Sequence, residues 1–331
     1  MNYFFNKVAL IFRLCRGYSI PISAMSCVVP FLYAFFNKGN ILFGIIASIG
    51  VVILHLATNL FDDVIDYYRE KKQIELGIKS DFNFQPSKCF YIRNGSVSFN
   101  QALLISFFLY LISFLIGIFF VYSTGFKLLY ILLPSAVICL LYPLLGCLGL
   151  GEILVATIFS PLIYSGIYFV MTNSFDSNIF IFSVSTGLFA VAVLHNHMLL
   201  DYKFDTTNRK ITLCRICGSE YNALLLLIFI ISVSYINLLF WIFMKYLSVI
   251  YLLPLITIPV AIILIKVMRI HIVNPNQEIK YNILMGNIKS LYKLPVSQRN
   301  FLMKFVLAQN ILYSFSIMLC ISIIIDYMVL R

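Results

Sequence analysis

Apolar stretches of about 20 residues, the length that crosses a bilayer core as a helix, recur from one end of the chain to the other. They run over 18–36, 41–61, 101–123, 128–145, 151–171, 178–199, 222–244, 246–268 and 305–328. The pattern predicts an all-α, polytopic membrane protein with nine transmembrane helices. No soluble domain, low-complexity tract or short repeat interrupts it, so 1–331 reads as a single membrane-embedded domain. Ahead of the first span, Lys7, Arg13 and Arg16 are spaced among Phe, Leu and Ile. Residues 1–17 therefore read as an amphipathic helix lying on the membrane surface. A cleaved signal is not expected, because no small-residue cleavage site follows a short apolar core.

Composition narrows the class further. The chain has 331 residues, 61% apolar and only 11% charged, too apolar to cover a water-facing surface of that size. That excludes a soluble enzyme, a disordered chain and a secreted disulfide scaffold. The eight cysteines fall mostly inside apolar stretches, where Cys behaves as a small hydrophobe. Cys214 and Cys217 make a lone CxxC with no second pair and no neighbouring His in sequence, and so read as structural. The net charge of +11 is assigned to topology, with attraction to anionic lipid or an anionic substrate as a further use, rather than to nucleic acid.

The positive-inside rule tests the spans. With these boundaries, 20 of the 24 Lys and Arg fall on the side that holds the N-terminus, leaving Lys38, Lys127, Lys245 and Arg331 opposite. A one-span error would scramble that split, so the N-terminus is expected in the cytoplasm and the C-terminus outside, in a bacterial inner membrane. Of the thirteen acids, eleven share the cytoplasmic side, all but Asp176 and Asp326. Acidic residues contribute little to orientation, so their placement asks for another reason.

Six of them form two groups, each at the cytoplasmic end of a span. The first follows the second span: Asn59, Asp62, Asp63, Asp66 and Glu70. On a helix Asp62, Asp66 and Glu70 share a face, and Asn59, Asp63 and Asp66 lie on a neighbouring one. The second follows the sixth span, with Asn196 ahead of Asp201 and Asp205 at i, i+4. Carboxylates this close repel one another unless a cation intervenes. Two such helix ends facing each other make a hard-oxygen site suited to magnesium and a substrate phosphate. Arg69, Lys71 and Lys72 beside the first group, and Lys203, Arg209 and Lys210 beside the second, carry charge that could neutralise a diphosphate. For a single Asp, a solvated helix end is the simpler reading; the matched pair of groups argues for a site.

The groups resemble the two aspartate-rich motifs of the UbiA superfamily of intramembrane prenyltransferases. Asp62-Asp63-x-x-Asp66-x-x-x-Glu70 is similar to NDxxDxxxD, with Asp for its Asn and Glu for its last Asp. Asn59-x-x-Asp62-Asp63-x-x-Asp66 is similar to the N-x-x-N-D-x-x-D of the dihydroxynaphthoate branch, with one Asn-to-Asp change. Asp201-x-x-x-Asp205 fits the second motif, and Lys210-Ile-Thr212-Leu213 resembles the K-R-T-L that follows it. Tyr142-Pro143-Leu144 with Gly149-Leu150-Gly151-Glu152 resembles the turn between that family's fourth and fifth helices. Here the chain departs from the naphthoate type, whose Lys and Arg before this turn are replaced by Leu145, Gly146, Cys147 and Leu148.

The resemblance implies nine helices around a central cavity open to the cytoplasmic side. It implies magnesium-dependent transfer of a prenyl chain from a polyprenyl diphosphate to an aromatic acceptor, in quinone biosynthesis of the menaquinone type. Asp62, Asp63, Asp66, Asp201 and Asp205 would then hold magnesium, with Asp63, Asp66, Asp201 and Asp205 acting in catalysis. Asn59 and Asn196 would support them; Lys203 and Lys210, then Arg69 and Lys72, would contact diphosphate; and Tyr67 or Tyr68 would lie near the reacting carbon. Several roles stay open. Glu152 is either a site residue or an acid complementing a helix N-terminus. His195 and His197 are either acid–base groups or packed histidines. The loops after the second and eighth spans, the latter with Lys280, Lys289, Lys293 and Arg299, are either lids or basic surface segments. Two further functional readings remain: a related prenyltransferase with another acceptor, and a cation-coupled transporter. The acids gathered at one end of apparently unbroken spans weigh against the transporter.

Overall fold

The computed structural model describes residues 9–78, 89–207, 210–275, 277–286 and 289–330; Lys7, Arg209 and the stretch 79–88 lie outside the described residues, as do the side chains at 289–290, 297–298 and 330. Among the described residues, nine helices are long and apolar enough to cross a membrane. In chain order they are α1 (Gly17–Phe36), α2 (Ile41–Glu75), α3 (Phe99–Thr124), α4 (Phe126–Leu145), α5 (Gly151–Thr172), α6 (Ser177–Leu200), α7 (Glu220–Phe243), α8 (Val249–Val273) and α9 (Arg299–Val329). They match the nine apolar stretches to within a few residues at most ends. The main difference is α2, which runs on as one 35-residue helix through the whole first acidic group. No named strand occurs among the described residues; Leu148 and Ile211 form an isolated parallel bridge.

The chain divides into two compact units. The first comprises Met1–Ala24 and Leu42–Leu145, and so holds α2, α3 and α4. Residues 9–14 are helical, with Ile11 and Phe12 exposed and Leu14 buried. Leu14 and Cys15 pack with Leu60 and Val64 of α2 and with Ile92, Val97 and Ala102. The loop after α2 therefore returns to its own helix: Ile92 and Val97 are core, and the Cys89 thiol donates to the Asp63 carbonyl at 3.2 Å. Ser98 then starts α3 with a reciprocal capping box to Gln101. Gly50 of α2 allows close approach to α3, since an added Cβ would lie 3.1 Å from Ile116 Cγ2.

The second unit comprises Met25–Ile41 and Gly146–Arg331. Its innermost helix is α6, with 67% of its most apolar window buried, against 11% for α3 of the first unit. Contrary to the unbroken spans expected, two spans are irregular. Residues Ile158–Leu162 of α5 form a π-helical turn containing Pro161, and Val249–Thr257 of α8 is 3-10 helix containing Pro254. Proline cannot donate to the helical ladder, so a changed hydrogen-bond register around it is the expected local response. The π turn packs tightly on α6: a Cβ on Gly187 would fall 2.3 Å from Ser160 Cβ, so only glycine fits.

Candidate functional site

The first acidic group lies on the last turns of α2. Asp63 is buried, Asp62, Asp66 and Glu70 are partly so, and all four follow one continuous helix. Among the described residues, a cation from upstream in the chain meets them. The Arg16 guanidinium reaches Asp62 Oδ2 at 3.2 Å and pairs with Asp63 Oδ1. Burial opposes its charge, but Asp63 and Asp62 outweigh that and hold Arg16 protonated well above its ordinary value. Arg16 adopts left-handed backbone (φ 56°, ψ 46°) as the chain turns from the helix at 9–14 into α1. A bulky residue is uncommon there, and the turn delivers its side chain to the carboxylates. Asn59, one turn back, donates to Ser19 Oγ at 2.9 Å. Arg69 lies 3.9 Å from Asp66 and donates to the Pro143 carbonyl at 3.0 Å, so α2 also holds the end of α4. Tyr67 packs beside Phe99 on the apolar cluster, Tyr68 is exposed, and Lys72 is exposed.

The second group lies where α6 ends. Asp201 closes the helix as its C-cap and Asp205 follows in the short helix Tyr202–Thr207. The i, i+4 relation survives the break, because the Asp205 amide still donates to the Asp201 carbonyl at 2.8 Å. Both residues are buried, as is Asn196, whose Nδ2 donates to the Lys304 carbonyl while its Oδ1 has no hydrogen-bond partner among the described residues. His197 Nδ1 lies 3.3 Å from Asp201 Oδ2. The Asp205 carbonyl accepts from the Lys210 amide at 2.9 Å, and Arg215 donates to the Lys210 carbonyl, so the segment after Asp205 folds back on it. Lys203 is exposed, 4.0 Å from Glu220 Oε2.

A magnesium ion takes hard oxygen donors, usually one or two carboxylates with water and phosphate oxygens. Both groups offer such a set. In the first group Asp63 is a buried carboxylate; in the second, Asp201 and Asp205 are buried beside Asn196, whose amide oxygen has no hydrogen-bond partner among the described residues. The donor chemistry fits.

A profile of the UbiA prenyltransferase family matches residues 22–288. The chain belongs to the UbiA prenyltransferase family. A 1,4-dihydroxy-2-naphthoate octaprenyltransferase of Haemophilus influenzae is 40% identical over 68 residues; the match spans 20% of this chain and 22% of that relative. Among solved structures, a digeranylgeranylglyceryl phosphate synthase superposes with a TM-score of 0.59 at 14% identity, over 95% of this chain and 99% of the other. A UbiA homologue from Archaeoglobus fulgidus bound to GPP and Mg2+ superposes with a TM-score of 0.53 at 13% identity, over 93% and 99%. At these identities the structures establish a shared fold.

In this UbiA family member, tertiary structure adds residues that the sequence motifs did not reveal. Arg16 read as a surface cation. Lys304 of α9 is buried, with its Nζ 2.8 Å from His271 Nδ1. His197 and Asp201 stand at i, i+4, a spacing that lets them pair on one helix end. His195 faces Glu152 and Cys214 within the second unit and is fully buried. Burial pushes the Cys214 thiol well up, and Glu152 adds to this; Cys217, less buried, moves the same way.

Proposed function

We propose that the protein transfers a prenyl chain from a polyprenyl diphosphate to an aromatic acceptor, with magnesium, in quinone biosynthesis of the menaquinone type. The observation that carries this reading is the pair of matched acidic groups at the ends of α2 and α6 in a chain whose family is prenyl-transferring. In this proposal residues 1–331 act as a single catalytic domain, and both acidic groups serve one reaction. The lysine and arginine distribution supports a cytoplasmic N-terminus, an external C-terminus and a bacterial inner-membrane location.

Asp62, Asp63 and Asp66 on one side, and Asp201 and Asp205 on the other, hold the ions, with Asn59 and Asn196 as amide support. Bound magnesium supplies positive charge that stabilises the departing diphosphate. Lys203, Lys210, Arg69 and Lys72 bind diphosphate oxygens and orient the C–O bond that breaks. The apolar helices exclude water, which would otherwise trap the allylic cation before the acceptor carbon does. Tyr67 and its neighbours offer π faces on which such a cation is stabilised.

The acceptor is proposed to be a dihydroxynaphthoate, on the motif similarity and the short match to the Haemophilus relative. Absence of basic residues at 145–148 favours a second reading within the same chemistry, a UbiA-type enzyme for a less anionic acceptor. The test is transfer of a labelled polyprenyl diphosphate by the full-length protein in liposomes, offered dihydroxynaphthoate, hydroxybenzoate and homogentisate in turn. Product with dihydroxynaphthoate alone supports the first acceptor; product with another alone transfers the assignment to it. No magnesium-dependent product or diphosphate release with any acceptor, together with cation flux, would move the protein to the transporter class.

A further inference from the structure

The Cys214-x-x-Cys217 pair has no second CxxC and no His close by in sequence, but the fold of the second unit brings a His and a Glu to Cys214. Glu152 stands at the start of α5, His195 in the last turns of α6 and Cys214 in the short helix Leu213–Ile216. All three are buried, at 2%, 0% and 0% exposure. Glu152 Oε1 lies 3.2 Å from His195 Nδ1, and Cys214 Sγ lies 3.5 Å from the same nitrogen. One donor atom from each residue falls within 4.8 Å of the other two.

The hydrogen-bond geometry leaves this cluster a place for one positive charge, a proton or a metal ion. His195 Nε2 is 2.9 Å from the Ala223 carbonyl, which can only accept, so Nε2 carries a hydrogen. A neutral imidazole then turns the Nδ1 lone pair towards Glu152 and Cys214, an acceptor facing a carboxylate. Backbone anchoring of the remote ring nitrogen is also how metal-ligating histidines are oriented. A proton between His195 and Glu152 would relieve the first conflict only. Glu152 Oε2 is buried and has no hydrogen-bond partner among the described residues.

We propose that Glu152, His195 Nδ1 and Cys214 form a buried binding site for a borderline-soft divalent cation, zinc by ligand chemistry, with Cys217 as its fourth ligand. Thiolate, imidazole and carboxylate together suit zinc and do not suit magnesium, so the site is chemically separate from the two acidic groups. Cys217, three residues further along and less buried than Cys214, has the usual CxxC spacing for a second thiolate ligand. The ion ties the start of α5, the end of α6 and the 213–216 helix together. Asp201 and Asp205 lie between His195 and Cys214 in the chain, so zinc closes the loop that carries the second acidic group. Its role is structural, and it holds whichever reaction the acidic groups perform.

The test is elemental analysis of full-length protein purified in detergent from zinc-supplemented cells, after dialysis against magnesium. The expected result is about one zinc per chain, as for a structural site, retained in Asp63→Asn and Asp201→Asn and lost in Cys214→Ser and His195→Gln. Replacement by cobalt should give a thiolate charge-transfer band that disappears in Cys214→Ser and weakens in Cys217→Ser. Should the ligand variants fail to fold, the wild type decides alone: zinc should block alkylation of Cys217, the less buried thiol, and a zinc chelator should restore it. Folded wild-type protein with neither bound zinc nor a thiolate–cobalt band, or zinc content unchanged by Cys214→Ser, overturns the proposal.

Discussion

Arg16 offers a direct handle on the first acidic group. Its guanidinium bridges Asp62 and Asp63, with side-chain exposures of 25% for Arg16, 14% for Asp62 and 7% for Asp63. An exposed ion pair is worth about 0–1 kcal/mol, whereas removing one partner of a buried pair costs about 3–5 kcal/mol. The pairing lies between these limits, so Arg16→Gln should cost about 2 kcal/mol, roughly a thirty-fold fall in the folded-to-unfolded ratio. Two adjacent carboxylates without their cation also bind magnesium more readily, so added Mg2+ should stabilise Arg16→Gln more than the wild type. The measurement is a double-mutant cycle of wild type, Arg16→Gln, Asp63→Asn and the double variant, by denaturation in detergent with and without Mg2+. The double variant should be less destabilised than the sum of the singles, with a coupling of about 1–2 kcal/mol. Additive singles, or a Mg2+ response unchanged by Arg16→Gln, would refute the argument.

Three further outcomes follow from particular contacts. Gly187→Ala places a methyl group 2.3 Å from Ser160 Cβ, against the π turn; overpacking of this kind costs about 1–3 kcal/mol, readable as a lower melting temperature that Ser160→Gly partly restores. Burial, then Asp63, pushes the Cys15 thiol up to about 12. A raised thiol stays neutral below that value, with about a thousandth ionised at pH 9, so mass spectrometry should find Cys15 unalkylated there while Cys217 reacts in zinc-free protein. If both acidic groups serve one substrate, Asp63→Asn and Asp201→Asn should each lower prenyl transfer, and the double variant should be little worse than either single.

Much of the architecture was legible because the bilayer imposes a simple rule on sequence. Each crossing needs an apolar run of fixed length, and each of the nine runs appears as a membrane-length helix among the described residues. The first acidic group was equally plain: Asn59, Asp62, Asp63 and Asp66 have helical spacing, and α2 continues through them. The π turn at Ile158–Leu162 was hidden, since Pro161 marks a disturbed ladder but not which alternative register replaces it. The partners of the charged groups were hidden for a different reason. Arg16 meets Asp62 and Asp63, and His195 meets Glu152 and Cys214, only through packing between segments distant in sequence. Read locally, Arg16 was a surface cation, His195 a lone histidine and Cys214-x-x-Cys217 an incomplete pair. Spacing identifies groups on one helix; it cannot show which distant side chain the fold lays across them.

The measurement that bears most directly on the central claim is a magnesium titration of prenyl-diphosphate turnover in liposomes by wild type, Asp63→Asn and Asp201→Asn. Diphosphate release should require Mg2+ in the wild type and fall by about 100-fold or more in each variant, the scale of losing a preorganised electrostatic group. Turnover independent of Mg2+, or undiminished in both variants, would contradict the assignment of the two acidic groups to a single metal-dependent active site.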